Sequence, residues 1–213
     1  MKFDRKQLLL YAVTDHSFGK SQPLDEQVKE ALESGITFLQ LREKELEDED
    51  FLNEAIRMKT LANDYRVPFV INDNVDVAKK SGADGVHIGQ NDMEIAKARE
   101  ILGNDKIIGV SVQTVEQAKL AQSQGADYLG VGAVFSTSTK QDAKSVSYDT
   151  LKQICESVSI PVVAIGGISA DNIKKLEGSK ISGVAVVSAI FGSNNMRQAT
   201  KNLLNKVKDI INA

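Results

Sequence analysis

Gln40, Arg42 and Lys44 stand at alternate positions of the run QLREK, so an extended backbone projects all three to one side. An amide beside two cations suits an anionic, hydrogen-bonding ligand, because arginine grips phosphate through two N–H groups and lysine adds a mobile point charge. The same cations also suit salt bridges to the acidic run ELEDED that follows. Asp73 in VINDN and Asp92 in GQND offer two carboxylates, and magnesium takes only one or two from a protein while keeping waters and a phosphate oxygen. Both aspartates, with Asn72 and Asn91 beside them, equally suit the first turns of helices. The run FSTSTKQDAKSVSY brings hydroxyls and amides at Thr137, Ser138 and Thr139 and a charge at Lys140, either as a binding loop or as a plain surface connection. IGGIS, containing Gly167, and VVSAI, containing Val187 and Ser188, let backbone approach a phosphate closely. His87 reads as a hydrogen-bonded interior residue and Cys155 as a core residue; neither is given a role.

Short apolar runs and longer amphipathic ones alternate along the chain and must position these residues. Eight runs, 8–13, 38–42, 68–72, 85–89, 107–111, 128–133, 161–167 and 183–188, are near-continuously apolar, the pattern of parallel strands covered on both faces. Between them the pattern predicts helices over 24–35, 48–65, 74–82, 91–103, 114–125, 147–158, 170–178 and 195–211. Thr114 with Gln117 and Asn91 with Glu94 have capping-box spacing, and Gly35, Gly82 and Gly125 stand where a left-handed helix stop is wanted. A weak repeat, ESGITFLQLR, KSGADGVHIG, SQGADYLGVG and SKISGVAVVS, runs each time from a helix end into a strand. Eight consecutive units predict a single-domain (β/α)8 TIM barrel over residues 1–213, whose chemistry gathers where strands run into the following loops. Every candidate named above falls at such a strand end.

Composition removes several other classes. The 213 residues carry 26 Lys and Arg against 29 Asp and Glu, a net charge of −3, so no basic excess points to nucleic acid or an anionic membrane. One cysteine and two histidines rule out a disulfide scaffold and a structural zinc domain of the Cys/His kind. The apolar run near the N-terminus is too short for a signal peptide or a membrane span, which predicts a cytoplasmic protein. The apolar stripe of KNLLNKVKDIINA either completes the barrel's outer ring or makes a homo-oligomer contact.

In order and interval, QLREK, VINDN, GVHIGQND, GVSVQT, STSTK, AIGGIS and VVSAI resemble the thiamine-phosphate synthase (thiamine-phosphate pyrophosphorylase) family, from Tyr11 to about Phe191. STSTK and the QLREK/NDN pair are the specific parts; AIGGI is shared by many phosphate-binding barrels. The resemblance implies a transferase for two small phosphorylated substrates. It would join 4-amino-5-hydroxymethyl-2-methylpyrimidine diphosphate to 4-methyl-5-(2-phosphoethyl)thiazole, releasing pyrophosphate. It assigns Gln40, Leu41, Arg42, Glu43, Lys44, Asn72, Ser111 and Lys140 to the pyrimidine diphosphate, and Thr137, Ser138, Thr139, Gly167, Val187 and Ser188 to the thiazole phosphate. Asp73 and Asp92 become ligands of a Mg2+ cofactor, and Arg42, Lys44 and Lys140 stabilise the departing pyrophosphate in a dissociative reaction that needs no protein nucleophile. Gln113 departs from the family, whose members often carry histidine there; the related thiazole tautomerase uses a histidine in that neighbourhood as its acid–base group, so Gln113 argues against that activity. A sugar-phosphate isomerase would need an acid–base pair, for which only Asp73 and His87 offer themselves, and a non-catalytic phosphometabolite sensor would not need the full set of cations and acids.

Overall fold

The computed structural model describes residues 4–18, 22–137 and 145–211. Strands β1 (Leu10–Val13), β2 (Phe38–Leu41), β3 (Phe69–Asn72), β4 (Gly85–Ile88), β5 (Ile107–Val112), β6 (Tyr128–Val131), β7 (Val162–Ile165) and β8 (Gly183–Val186) pair in parallel and in chain order, and β8 returns to β1 to close the barrel. Around them run α1 (Leu24–Glu33), α2 (Asp48–Asp64), α3 (Val75–Lys80), α4 (Ile95–Leu102), α5 (Val115–Ser123), α6 (Tyr148–Ser157), α7 (Ser188–Phe191) and α8 (Met196–Ile211). No helix among the described residues is long and apolar enough to cross a membrane.

Strand side chains alternate between two cores, which is why these strands read as unbroken apolar runs. Leu10, Leu39, Ile71, Val86, Ile108, Leu129 and Val184 face outward into a continuous layer shared with the helices. Tyr11, Phe38, Val70, Tyr128, Val163 and Ala185 face inward and fill the barrel, with the Tyr11 and Phe38 rings 4.6 Å apart and Phe38 5.6 Å from Tyr128. The interior is a packed plug rather than a channel. Gly109, which pairs with Tyr128 across β5 and β6, leaves room for that ring: a Cβ there would lie 2.1 Å from its Cζ. α8 buries Met196, Leu203, Val207 and Ile210 and packs against α1 and α7, so its apolar stripe completes the outer ring.

The weak repeat has a physical origin at the barrel's N-terminal end. Gly35, Gly82 and Gly125 all adopt positive φ (104°, 71° and 92°), and the residue two places on turns back to the preceding strand. Thr37 Oγ1 accepts from Leu10 N at 2.9 Å, Asp84 Oδ2 from Phe69 N at 2.8 Å, and Asp127 Oδ2 from Ile108 N at 2.7 Å. In each case the reverse backbone bond, from Thr37, Asp84 or Asp127 N to the same residue's carbonyl, measures 2.8 Å. Lys59 and Arg99 hold the two aspartates from the helix ring, each at 2.7 Å. These clasps set strand register at the face remote from the strand-end loops.

Three expectations are corrected. The run 170–178 forms only a 3-10 turn, Ile173–Leu176, because Asn172 spends its side chain on Gly167 O and Ser169 N instead of on a helix start. The strand over 183–188 stops at Val186, and Ser188 opens the short helix α7. Asn91 and Glu94 make no capping box; Glu94 itself is the N-cap of α4, without a side-chain bond. Thr114, by contrast, accepts from Gln117 N at 3.2 Å, while the Gln117 side chain reaches Gln113 N at 2.8 Å.

Removing one clasp tests its weight. Asp127→Ala leaves the Ile108 N–H without its acceptor and Arg99 without its ion-pair partner, though its guanidinium keeps backbone carbonyls, and it is expected to lower unfolding free energy by about 2 kcal/mol. The shift of the urea midpoint at unchanged m value measures it.

Candidate active site

The C-terminal ends of the strands carry the polar residues, and a hydrogen-bonded chain through the barrel interior fixes two of them. Gln40 Nε2 donates to Tyr11 Oη at 2.5 Å, the Tyr11 and Tyr128 hydroxyls lie 2.9 Å apart, Tyr128 Oη meets His87 Nδ1 at 2.9 Å, and His87 Nε2 meets Ser111 Oγ at 2.9 Å. With the Gln40 amide donating to Tyr11, one proton order satisfies every group of the chain. Tyr11 passes its hydrogen to Tyr128, Tyr128 to His87 Nδ1, and the Nε2–H tautomer of His87 donates to Ser111. Ser111 thereby keeps its own hydroxyl hydrogen to offer at the mouth. Burial raises both tyrosine pKa values further above their ordinary range, so the hydroxyls stay protonated. His87 is the interior hydrogen-bonded residue the sequence suggested.

Beyond β2 the QLREK side chains part company. Gln40 is buried in the barrel, Leu41 is fully buried in the outer core, Arg42 is half-buried and Lys44 is exposed. Arg42 Nη1 pairs with Asp15 Oδ2 at 3.0 Å, and its backbone N–H donates to Thr14 Oγ1 at 3.0 Å. The expected bridge to the acidic run does not form at Arg42; its partner comes from the loop after β1. Glu43 turns away from the mouth: its side chain is 3% exposed and meets His16. Burial and the neighbouring Glu54 carboxylate push the Glu43 pKa up to about 7.

Asp73 and Asp92 come together from the loops after β3 and β4, and neither caps a helix. Asn74 takes that role for α3, accepting from Val77 N at 2.9 Å. Asp73 has left-handed backbone (φ 61°), and its N–H donates to His87 O at 2.8 Å, bringing the β3 loop onto β4. Asp92 Oδ2 accepts from Gly89 N at 2.6 Å, and Asn72 Nδ2 donates to Asp73 Oδ2 at 2.5 Å. Burial and then the Asp92 carboxylate raise the Asp73 pKa to about 6, against the lowering influence of Lys44 and Asn72. Two oxygen donors crowded enough to resist double ionisation suit a hard divalent cation such as Mg2+.

On the other side of the mouth Ser136, Thr137, Gly167, Ile168, Ser169, Ser188 and Ala189 line a cavity of about 250 Å³. Gly167 has φ 62°, and a Cβ there would lie 2.2 Å from Ser136 O. Asn172, which sequence reasoning passed over, pins this turn through Gly167 O at 2.8 Å and Ser169 N at 2.9 Å. Val187 is the N-cap of α7, whose first turn leaves amides without intrahelical acceptors. Thr137, Gly167 and Ser188 therefore line one cavity, and Val187, next to Ser188, packs against the barrel interior; Ser138, Thr139 and Lys140 lie outside the described residues. A larger hollow between α1 and α2, lined by Asp25, Lys29 and Arg57, sits on the outer ring away from the strand ends. Gln113 Nε2 donates to Gly132 O at 3.4 Å, and an amide there cannot relay protons.

The Asp73–Asp92 pair gives a signed pH dependence. With its pKa raised from 3.8 to about 6, Asp73 binds its proton more tightly in the folded protein, so that contribution to stability is full below about pH 4 and is lost as pH rises through about 6. Asp73→Asn removes the repulsion, and asparagine tolerates the left-handed backbone. Without added metal, the variant is expected to melt about 1–3 °C above the parent at pH 8, with the difference vanishing near pH 4. A lower melting temperature at pH 8 in a calorimetric scan contradicts this.

The chain also matches known proteins over nearly its whole length. The sequence profile of the thiamine monophosphate synthase family matches residues 10–190. The thiamine-phosphate synthase of Ruminiclostridium cellulolyticum is 52% identical over 195 residues, covering 92% of this chain and 93% of that protein. That of Methanobrevibacter smithii is 47% identical over 201 residues, covering 94% and 96%. The solved thiamine phosphate pyrophosphorylase of Pyrococcus furiosus superposes with a TM-score of 0.90 at 40% identity, covering 97% of this chain and 98% of that one. With a family profile spanning β1 to α7 and relatives near half identity, the chain belongs to the thiamine monophosphate synthase family and is an enzyme, a transferase.

Proposed function

We propose that the barrel mouth joins a pyrimidinylmethyl diphosphate to a thiazole phosphate, forming thiamine phosphate and pyrophosphate. The observation that carries this reading is the split of the rim into two unlike anion sites. One side holds Arg42, Lys44, Ser111 and the Asp73–Asp92 pair; the other holds the small Gly167–Ser188 cavity. A diphosphate that departs with a cation belongs at the first, and a monophosphate held by amides and hydroxyls at the second.

In this reading the C–O bond between the pyrimidine methylene and the diphosphate breaks, and pyrophosphate leaves with the electron pair. The thiazole nitrogen then supplies its lone pair to the methylene carbon, forming the C–N bond and leaving a thiazolium. No protein nucleophile or general base is required, and the Gln40 to Ser111 chain is built to hold protons rather than move them. Gln40, whose Nε2 is committed to Tyr11, presents Oε1 to an amino donor such as that of the pyrimidine. Ser111 offers its hydroxyl hydrogen to an anionic oxygen. Arg42 would exchange Asp15 for the diphosphate, keeping its charge compensated in both states. Lys44 and Lys140 add positive charge to the leaving group. Asp73 and Asp92 would hold Mg2+, which when bound neutralises charge on the diphosphate. Among the family's residues carried onto this chain, Leu41 and Glu43 direct their side chains away from the mouth, so any part they take there goes through backbone.

Incubation of the purified protein with both phosphorylated substrates is expected to yield thiamine phosphate, followed by mass, only when Mg2+ is present. Absence of product while the thiazole phosphate still binds removes the pyrimidine half of the assignment. Gly167→Ala, whose methyl would meet Ser136 O, is expected to raise the KM for the thiazole phosphate at least about tenfold and to leave that for the pyrimidine diphosphate within about twofold. Equal weakening of both substrates in steady-state kinetics contradicts the split of the mouth.

A further inference from the structure

We propose that His16, Glu43 and Glu54 form a second cation site, separate from the Asp73–Asp92 pair, that takes a divalent transition metal of the Zn2+ class. The three side chains come from three elements: the loop after β1, the segment after β2, and the second turn of α2. His16 Nε2 lies 2.8 Å from Glu43 Oε1 and 3.3 Å from Glu54 Oε2, and the three ligand atoms all fall within 4.8 Å of one another. Among the described residues no other trio of His, Cys, Asp or Glu brings its ligand atoms so close.

Burial makes this more than a surface charge cluster. The Glu43 and Glu54 side chains are 3% and 7% exposed, whereas His16 is 49% exposed and forms the open side. Glu43 Oε1 is fully buried and has no hydrogen bond, its approach to His16 Nε2 being that of an ion pair. Two carboxylates removed from water beside one imidazole call for positive charge at the point they share. The spacing suits one: tetrahedral ligands at metal distances of about 2.0–2.1 Å stand about 3.3–3.4 Å apart, which His16 and Glu54 already meet and Glu43 reaches by opening about half an ångström. A single imidazole nitrogen with two carboxylates selects Zn2+, Co2+ or Mn2+ over Mg2+, and the exposed side leaves room for a water as fourth ligand. Asp15, next to His16, pairs with Arg42, next to Glu43, so an occupied site would clasp the two loops that carry the Asp15–Arg42 pair.

The test uses the full chain, stripped with chelator and then held in excess Mg2+ so that oxygen-only sites are filled. Zn2+ is titrated by calorimetry into the parent, His16→Ala and Glu54→Gln. The parent is expected to bind one equivalent at micromolar Kd, and each variant to bind more than tenfold more weakly. Co2+ should give the intense visible bands of a four-coordinate site in the parent and lose them in His16→Ala. Failure of the parent to bind Zn2+ under these conditions, or unchanged affinity in His16→Ala, overturns the proposal. His16 is half-exposed, so that variant decides the matter even where Glu54→Gln folds poorly.

Discussion

Two tyrosine hydroxyls, 2.9 Å apart at the centre of the barrel, set the terms for the mouth above them. Buried phenols without partners would cost more than their rings contribute by packing, so each must be satisfied inside the plug. Tyr11 and Tyr128 satisfy one another and draw in Gln40 on one side and His87 on the other, and His87 carries the chain to Ser111. The same bonds that remove a penalty from the core thereby fix the orientation of two mouth residues and the tautomer of a third. Gly109 belongs to this arrangement, since the Tyr128 ring occupies the space its side chain would need.

Charge is arranged around that neutral centre with some care for compensation. Arg42 rests on Asp15, Lys44 acts on Asp73, and the carboxylates of Asp73 and Asp92 share a region that favours only one negative charge. In the proposed reaction each of these groups would exchange a protein partner for a ligand without being left alone in a part-dry site. Among the described residues the cavity on the opposite half of the mouth is lined without charge, by hydroxyls, backbone at Gly167 and the start of α7. One barrel can thus hold two anions without making the whole rim cationic, in keeping with the chain's net charge of −3.

Much of this could be read from residue order alone. The eight strands showed because both faces of a parallel barrel strand are buried, and Gly35, Gly82 and Gly125 marked helix ends because their positive φ suits glycine. What escaped reading depends on contacts distant in sequence or on competing uses of one side chain. Arg42 faced an acidic run a few residues on, yet paired with Asp15, 27 residues before it. The run 170–178 had the pattern of a helix, but Asn172 serves the Gly167 turn, which leaves the segment behind it with a single 3-10 turn. VVSAI is apolar enough to pass for strand throughout, and only the turn at Val187 separates β8 from α7. Glu43 alternates with Arg42 and Lys44 in QLREK, and its burial against His16 and Glu54 follows from the packing of α2, which no local pattern records.

The clasps made by Thr37, Asp84 and Asp127 join β1 to β2, β3 to β4 and β5 to β6, three of the eight junctions of the ring. At β2 to β3 and β6 to β7 the matching place is taken by the carbonyls of Pro68 and Pro161, which accept from Leu39 and Leu129 with no side chain returning the bond. The side-chain clasps therefore reinforce three junctions, while the two proline junctions rest on backbone bonds between the strands. For protein engineering this marks where to try dividing the ring: new termini or split halves for reconstitution belong at the proline junctions, where no side-chain clasp joins the two strands.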